Sequence, residues 1–341
     1  MTTSAPRFVV LIGGFLFSGG MFLSGFASSV GMLIITYGLG VGLGMSMVYG
    51  TVTSHIVKFF PKQRGLAGGF ATASYGISSV IIPPLANMLN NNFGVNTTFK
   101  LFGIVTFAVI VISSFFLGKL PTEKEKQSLQ NTESERIQIQ DRKWNTMLQS
   151  PVFYVMLFLL LCGAFSGLMV ISQASGVAQN LIGMNAASAA IAVSVLALMN
   201  TCGRIIAGFI SDKLGMVKTL AGVFIISIIG LILLSFEGNG TIVQFYCGIS
   251  CVGLAFGSIM GVYPAFTAKQ FGPKHNSVNY GIIFCGFALA GFCGPLILSS
   301  LTRISGSYQA AFLVGIAFAM CGALLTVIYN KITAKYTVYK K

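Results

Sequence analysis

Apolar residues run along this chain in long blocks separated by short polar or Gly/Pro breaks. Ten of the blocks reach membrane length, at approximately 8–27, 31–59, 66–89, 98–118, 151–179, 186–210, 217–236, 241–268, 278–300 and 308–330. A helix of about 20 residues crosses a hydrocarbon layer of about 30 Å and satisfies its own backbone hydrogen bonds on the way. The pattern predicts an all-α polytopic membrane protein. Its one long hydrophilic stretch, Pro121 to Ser150, holds Glu123, Glu125, Glu133, Glu135 and Asp141, five of the seven acids, and no apolar run. We read it as a flexible or partly helical linker between two helical bundles, residues 1–120 and 151–341.

Composition strengthens this picture. The 341 residues are 55% hydrophobic and 8% charged, beyond what a soluble globule needs for a core. The excess of 21 Lys and Arg over 7 Asp and Glu is spread singly over the ends of apolar segments, which fits membrane orientation and argues against a nucleic-acid partner. Arg7, Lys58, Lys62, Arg64, the linker bases, Lys213, Lys218, Lys269, Lys274, Lys331, Lys335, Lys340 and Lys341 fall on one side, and Lys100 and Arg303 on the other. Both termini are therefore expected in the cytoplasm of a multi-pass cell-membrane protein. MTTSAPRF lacks a cleavable-signal pattern, so the first apolar run is expected to stay in the bilayer. The seven cysteines lie in apolar stretches without metal-ligand spacing, and are expected to be small buried hydrophobes.

An internal repeat links VGLGMSMVYGTVTSHIVKFFPKQRGLAGGF, from Val41, with VGLAFGSIMGVYPAFTAKQFGPKHNSVNYGIIF, from Val252. Each runs from Gly-Leu through a Val-Tyr pair to Phe and Pro-Lys at a turn, and then into a Gly-rich helix. In the second half two helices precede the landmark GRIIAGFISDKLG (203–215), whereas the first half opens at the equivalent turn. This reading leaves four helices in the first bundle and six in the second, about ten of an expected twelve.

Arg204 is the one charge deep inside an apolar span, between Ser188 and Ile210. A cation at a helix centre costs at least about 2.5 kcal/mol in a bilayer, so it is expected to face a partner or a watery cavity and to anchor a substrate. Asn200 lies one turn away on the same helical face. In GRIIAGFISDKLG the glycines permit close helix approach, and Ser211, Asp212 and Lys213 can pair across a cytoplasmic gate. This segment resembles the loop signature of the major facilitator superfamily. Together with VYGTVTSHIVKFFPKQRGLAGG, LMNTCGRIIAGFISDKLG, VYPAFTAKQFGPK and NYGIIF, the chain resembles the oxalate:formate antiporter family and its bacterial monocarboxylate relatives, as helices three to twelve of twelve. The resemblance implies the facilitator fold, a carboxylate bound by Arg204 beside Asn200, and Tyr49 and Tyr263 as further substrate-binding residues whose hydroxyls add single hydrogen bonds to the anion.

The resemblance also implies a second base in the eleventh helix of oxalate-handling members. Here NYGIIFCGFALAGFCGPLILSS has none, and Cys285, Gly286 and Phe287 stand in the neighbourhood. A dianion facing one cation would leave a buried net charge, whereas a monoanion forms a neutral pair. The expected function is therefore secondary transport of a small monocarboxylate of the lactate, pyruvate or formate type, by proton symport or anion exchange. An oxalate/formate-type antiporter and a truncated, non-transporting protein with a vestigial site are the alternatives. No enzymatic role, cofactor or metal is expected, and the protein is expected to be a monomer in the lipid bilayer. His55 and His275 are expected in surface or turn roles, and the glycines of GLGVGLG (38–44) in helix packing. Gly76, Pro83 and Pro84, and in the repeat Gly294 and Pro295, are expected to bend their helices.

Overall fold

The computed structural model describes residues 5–116, 141–236 and 241–338. Most of the expected linker lies outside them, as do Lys340 and Lys341. The described elements are all helical: α1 (Ala5–Ser24), α2 (Val30–Phe59), α3 (Arg64–Phe115), the short α4 (Trp144–Leu148), α5 (Pro151–Ile182), α6 (Ala186–Leu214), α7 (Met216–Ser235), α8 (Ile242–Phe271), α9 (Asn276–Ser305) and α10 (Gln309–Val338). Among the described residues nine helices are long and apolar enough to cross a membrane. One of them, α3, has 52 residues, about 78 Å at the usual helical rise, too long for a single crossing. Gly94, at φ 78° and ψ 163°, divides it into two, which recovers the ten blocks of the sequence. Pro83 and Pro84 lie inside α3, but the departure from helical torsions falls at Gly94.

Local chemistry sets the other ends. Pro151 occupies the first turn of α5, where its missing N–H costs nothing, and Gly183 at φ 71° closes that helix. Asn185 caps α6 by accepting the Ser188 N–H at 2.8 Å, and Thr241 caps α8 by accepting from Gln244 at 3.2 Å.

The helices fall into two compact units. One comprises Met1–Phe59 and Ile81–Ile139, the other Phe60–Val80 and Gln140–Lys341, so the first turns of α3 belong with the six C-terminal spans. Within the first unit α1 packs on α2. A Cβ on Gly44 would collide with the backbone of Phe17, and Gly40 lies against Gly20, so these two GLGVGLG glycines serve packing, whereas a Cβ on Gly42 would meet open space. Residues Ile34–Val41 in this stretch are wound as π-helix. His55 departs from the surface role expected of it: it is buried, edge-on to Phe59 at 5.0 Å, where an aromatic neighbour shields its ring.

Within the second unit α5 and α8 form the inside, with α6, α7, α9 and α10 around them. Ile225, Leu289, Leu313 and Leu324 turn outward, as apolar side chains do when the surrounding solvent is lipid. The same logic corrects the reading of the cysteines. Cys162 is buried, but Cys247, Cys285 and Cys321 are exposed on spans, since lipid accepts a thiol that water would drive inside. The last residues of the expected linker are tied to the turn between α8 and α9: Lys274 N–H donates to Asp141 at 3.0 Å, Arg142 N–H to the Phe271 carbonyl at 2.9 Å, and Asn279 to the Arg142 carbonyl at 2.9 Å.

Candidate functional site

Three helices of the second unit meet at Arg204, and small residues let them do so. Along α8, Gly253, Gly257 and Gly261 recur at four-residue spacing and press on the carbonyls of Leu196, Asn200 and Arg204 of α6; a Cβ at any of the three would strike backbone. Gly203 answers from α6 by lying on the Leu254 carbonyl, and Ser258 donates a hydrogen bond to the Gly203 carbonyl at 3.2 Å. Such small-residue faces bring helix backbones together in a membrane, where apolar side chains gain nothing by leaving lipid. On its other side α6 meets the first turns of α3. Gly65, Gly69 and Gly76 face Ser211, Arg204 and Thr201 in turn, so the backbone of Arg204 is held between Gly69 and Gly261.

Arg204 is buried, at 8% exposure. Its Nε donates to Asn200 Oδ1 at 3.2 Å and its Nη1 to the Thr72 carbonyl of α3 at 2.6 Å. The pairing of Arg204 with Asn200 follows from their spacing of one helical turn, while Thr72 carries no sequence signal. The bonded atom is a backbone carbonyl, which every residue has. Thr72 uses its own hydroxyl on the Gly68 carbonyl.

Asp212 accepts the N–H groups of Gly65 and Leu66, both at 2.8 Å, and so caps α3 from the end of α6. A carboxylate there meets two amides that have no partner in their own helix, and the positive end of the helix dipole. Ser211 donates to the Gly208 carbonyl at 2.8 Å, and Lys213 stands over the Phe209 ring at 4.2 Å. Of the three residues expected at the gate, Asp212 bonds to α3 and Ser211 lies against Gly65 of the same helix.

Tyr263 is fully buried, and its hydroxyl donates to the Met156 carbonyl of α5 at 2.8 Å. Tyr49 is buried in the first unit, in α2, where its carbonyl accepts from Thr53. On α9, near the place of the absent second base, Phe287 stacks on Phe284 with centroids 4.5 Å apart and lies 6.3 Å from Phe256. Aromatic rings fill that neighbourhood.

The model of the Major Facilitator Superfamily matches residues 3–292 of this chain. The oxalate:formate antiporter of Oxalobacter formigenes is 28% identical over 322 residues, 92% of this chain and 74% of that one. Monocarboxylate transporter 12 of Xenopus laevis is 25% identical over 344 residues, 93% of this chain and 72% of its own length. Among solved structures, the facilitator-superfamily transporter FucP in the outward conformation aligns with a TM-score of 0.71 at 12% identity, covering 95% of this chain and 83% of that one, which is a likeness of fold.

Proposed function

Since this chain belongs to the Major Facilitator Superfamily, whose members named above are transporters and not enzymes, we propose that it moves a small monocarboxylate across the cell membrane by alternating access, with Arg204 as the carboxylate anchor. The observation that carries this reading is the buried guanidinium on α6, held by neutral oxygens of Asn200 and Thr72. A carboxylate offers the same donors a negative, planar, bidentate acceptor, and so outcompetes a single neutral carbonyl for the fork.

Binding and movement are then one event. A substrate carboxylate that draws Nη1 off the Thr72 carbonyl removes a tie between α6 and α3, leaving the glycine contacts and the Asp212 cap to hold the seam. Asn200 orients the guanidinium through Nε. Tyr263 positions α8 on α5 through its bond to Met156. Proton symport, with the proton carried alongside the anion, and exchange of one monoanion for another both fit this scheme.

Charge decides the substrate class. One buried cation neutralises a monoanion and leaves a dianion with an uncompensated charge, a penalty of several kcal/mol. The Phe256, Phe284 and Phe287 cluster favours an apolar substrate end over a second carboxylate. The bases at helix ends orient both termini to the cytoplasm. In proteoliposomes, lactate, pyruvate and formate are expected to displace one another from uptake at concentrations where oxalate and malonate do not. Preferential displacement by oxalate would overturn the monoanion reading.

A further inference from the structure

The second unit carries another donor-rich recess, at the opposite end from Asp212. The C-terminal part of α5, the last turns of α9 and the turn before α10 border an open recess of about 240 Å³, lined by Gln173, Leu298, Ser299, Thr302, Arg303 and Tyr308. Helix direction places it: α5 closes at Gly183 and α9 at Gly306, two reversals at one end of the unit, while α6 runs from there to Asp212 at the other.

The lining chemistry has one sign. Arg303 brings a guanidinium with five N–H donors, and no lining residue is acidic. Tyr308 accepts a hydrogen bond from Asn180 at 3.1 Å, which leaves its own phenolic proton for another acceptor. Thr302 Oγ1 is buried and has no hydrogen-bond partner, a condition that costs about 1–3 kcal/mol and that a ligand oxygen relieves. Leu298 supplies an apolar wall. Drug-sized pockets run to about 300–1,000 Å³, so this space suits an anion of few atoms. Lys100, the other base assigned to this face by the distribution of charges, stands over the Phe26 ring at 3.8 Å in the first unit.

We propose that this recess is a second carboxylate site, in which Arg303, Tyr308 and Thr302 hold a small monocarboxylate at the outer end of the α5–α9 pair before it reaches Arg204. The proposal rests on the carrier reading for its ligand class and extends it with a site of its own. A cation in a low-dielectric mouth raises the local concentration of its counter-ion, an effect that weakens as salt is added.

The test uses purified full-length protein and formate as the probe, followed by saturation-transfer NMR. Arg204→Ala is expected to keep a weak formate signal that acetate displaces. Arg204→Ala combined with Arg303→Gln is expected to lose it, and Thr302→Val in place of Arg303→Gln to weaken it. In proteoliposomes, Arg303→Gln alone is expected to raise the apparent KM for external formate by roughly 3-fold or more at low salt, with the maximal rate kept and the difference shrinking at high salt. A signal unchanged by Arg303→Gln, or absent already in Arg204→Ala, overturns the second site. So does a signal that anionic lipid removes and acetate does not, which identifies a headgroup site instead. If wild-type protein moves no monocarboxylate, the carrier reading falls, and the NMR comparison still decides whether the recess binds one.

Discussion

Arg204 Nη1 donates to the Thr72 carbonyl across 2.6 Å, and through that bond the one cation deep in α6 is tied to the backbone of α3. The bond joins two tasks in one side chain: the fork that suits a carboxylate also fastens a helix whose first turn Asp212 caps.

Replacement of Arg204 should separate shape from charge. Arg204→Ala is expected to abolish uptake of labelled monocarboxylate with membrane insertion intact. Arg204→Lys is expected to retain less than about a tenth of wild-type uptake, because an ammonium offers a point charge in place of the planar fork and one lost charged hydrogen bond costs about 1.5–3 kcal/mol. Wild-type uptake by the lysine variant would remove the bidentate geometry from the mechanism.

Asp212 should govern how tightly the α3–α6 seam closes. Its carboxylate serves two helix-terminal amides, an arrangement worth about 0.5–2 kcal/mol. In a cysteine-depleted background, a cysteine at the buried position Ala67 is expected to react slowly with a thiol reagent, and several-fold faster when Asp212→Ala is added. Equal rates would show that the cap does not hold the seam.

The glycine ladder on α8 makes a stability prediction. A methyl group at Gly257 meets the Asn200 carbonyl, and one at Gly222 on α7 meets open space. Gly257→Ala is expected to lower the thermal transition of the purified protein, at a cost of about 1–3 kcal/mol, and to reduce uptake through the displaced Asn200. Gly222→Ala is expected to leave both unchanged or slightly improve stability. Similar transitions for the two variants would contradict the close packing of α6 on α8.

Orientation can be read by labelling from outside. A cysteine at Ser307, in the turn between α9 and α10, is expected to react with an impermeant thiol reagent on intact cells, and one at Lys274, in the turn between α8 and α9, only after permeabilisation. The reverse pattern would invert the proposed topology.

Local chemistry was enough to settle much of this protein. Blocks of about 20 apolar residues can only be helices once they enter lipid, so the spans follow from hydropathy alone, even where a single residue, Gly94, separates two of them. Arg204 stood out because a charge has no local reason to sit in such a block, and Asn200 because one helical turn brings it alongside. The partners of these residues were decided by tertiary structure. Thr72 accepts through its carbonyl and Gly65 and Leu66 donate through their amides; backbone atoms are the same at every position, so nothing in the sequence marks which of them a distant side chain will reach. The tyrosine hydroxyl at 263 turned to the Met156 carbonyl for a related reason: its helix packs on α5, and a buried hydroxyl takes the nearest acceptor. Burial of His55 and exposure of Cys285 likewise depended on which face of each helix met protein and which met lipid, a choice made by packing across the bundle.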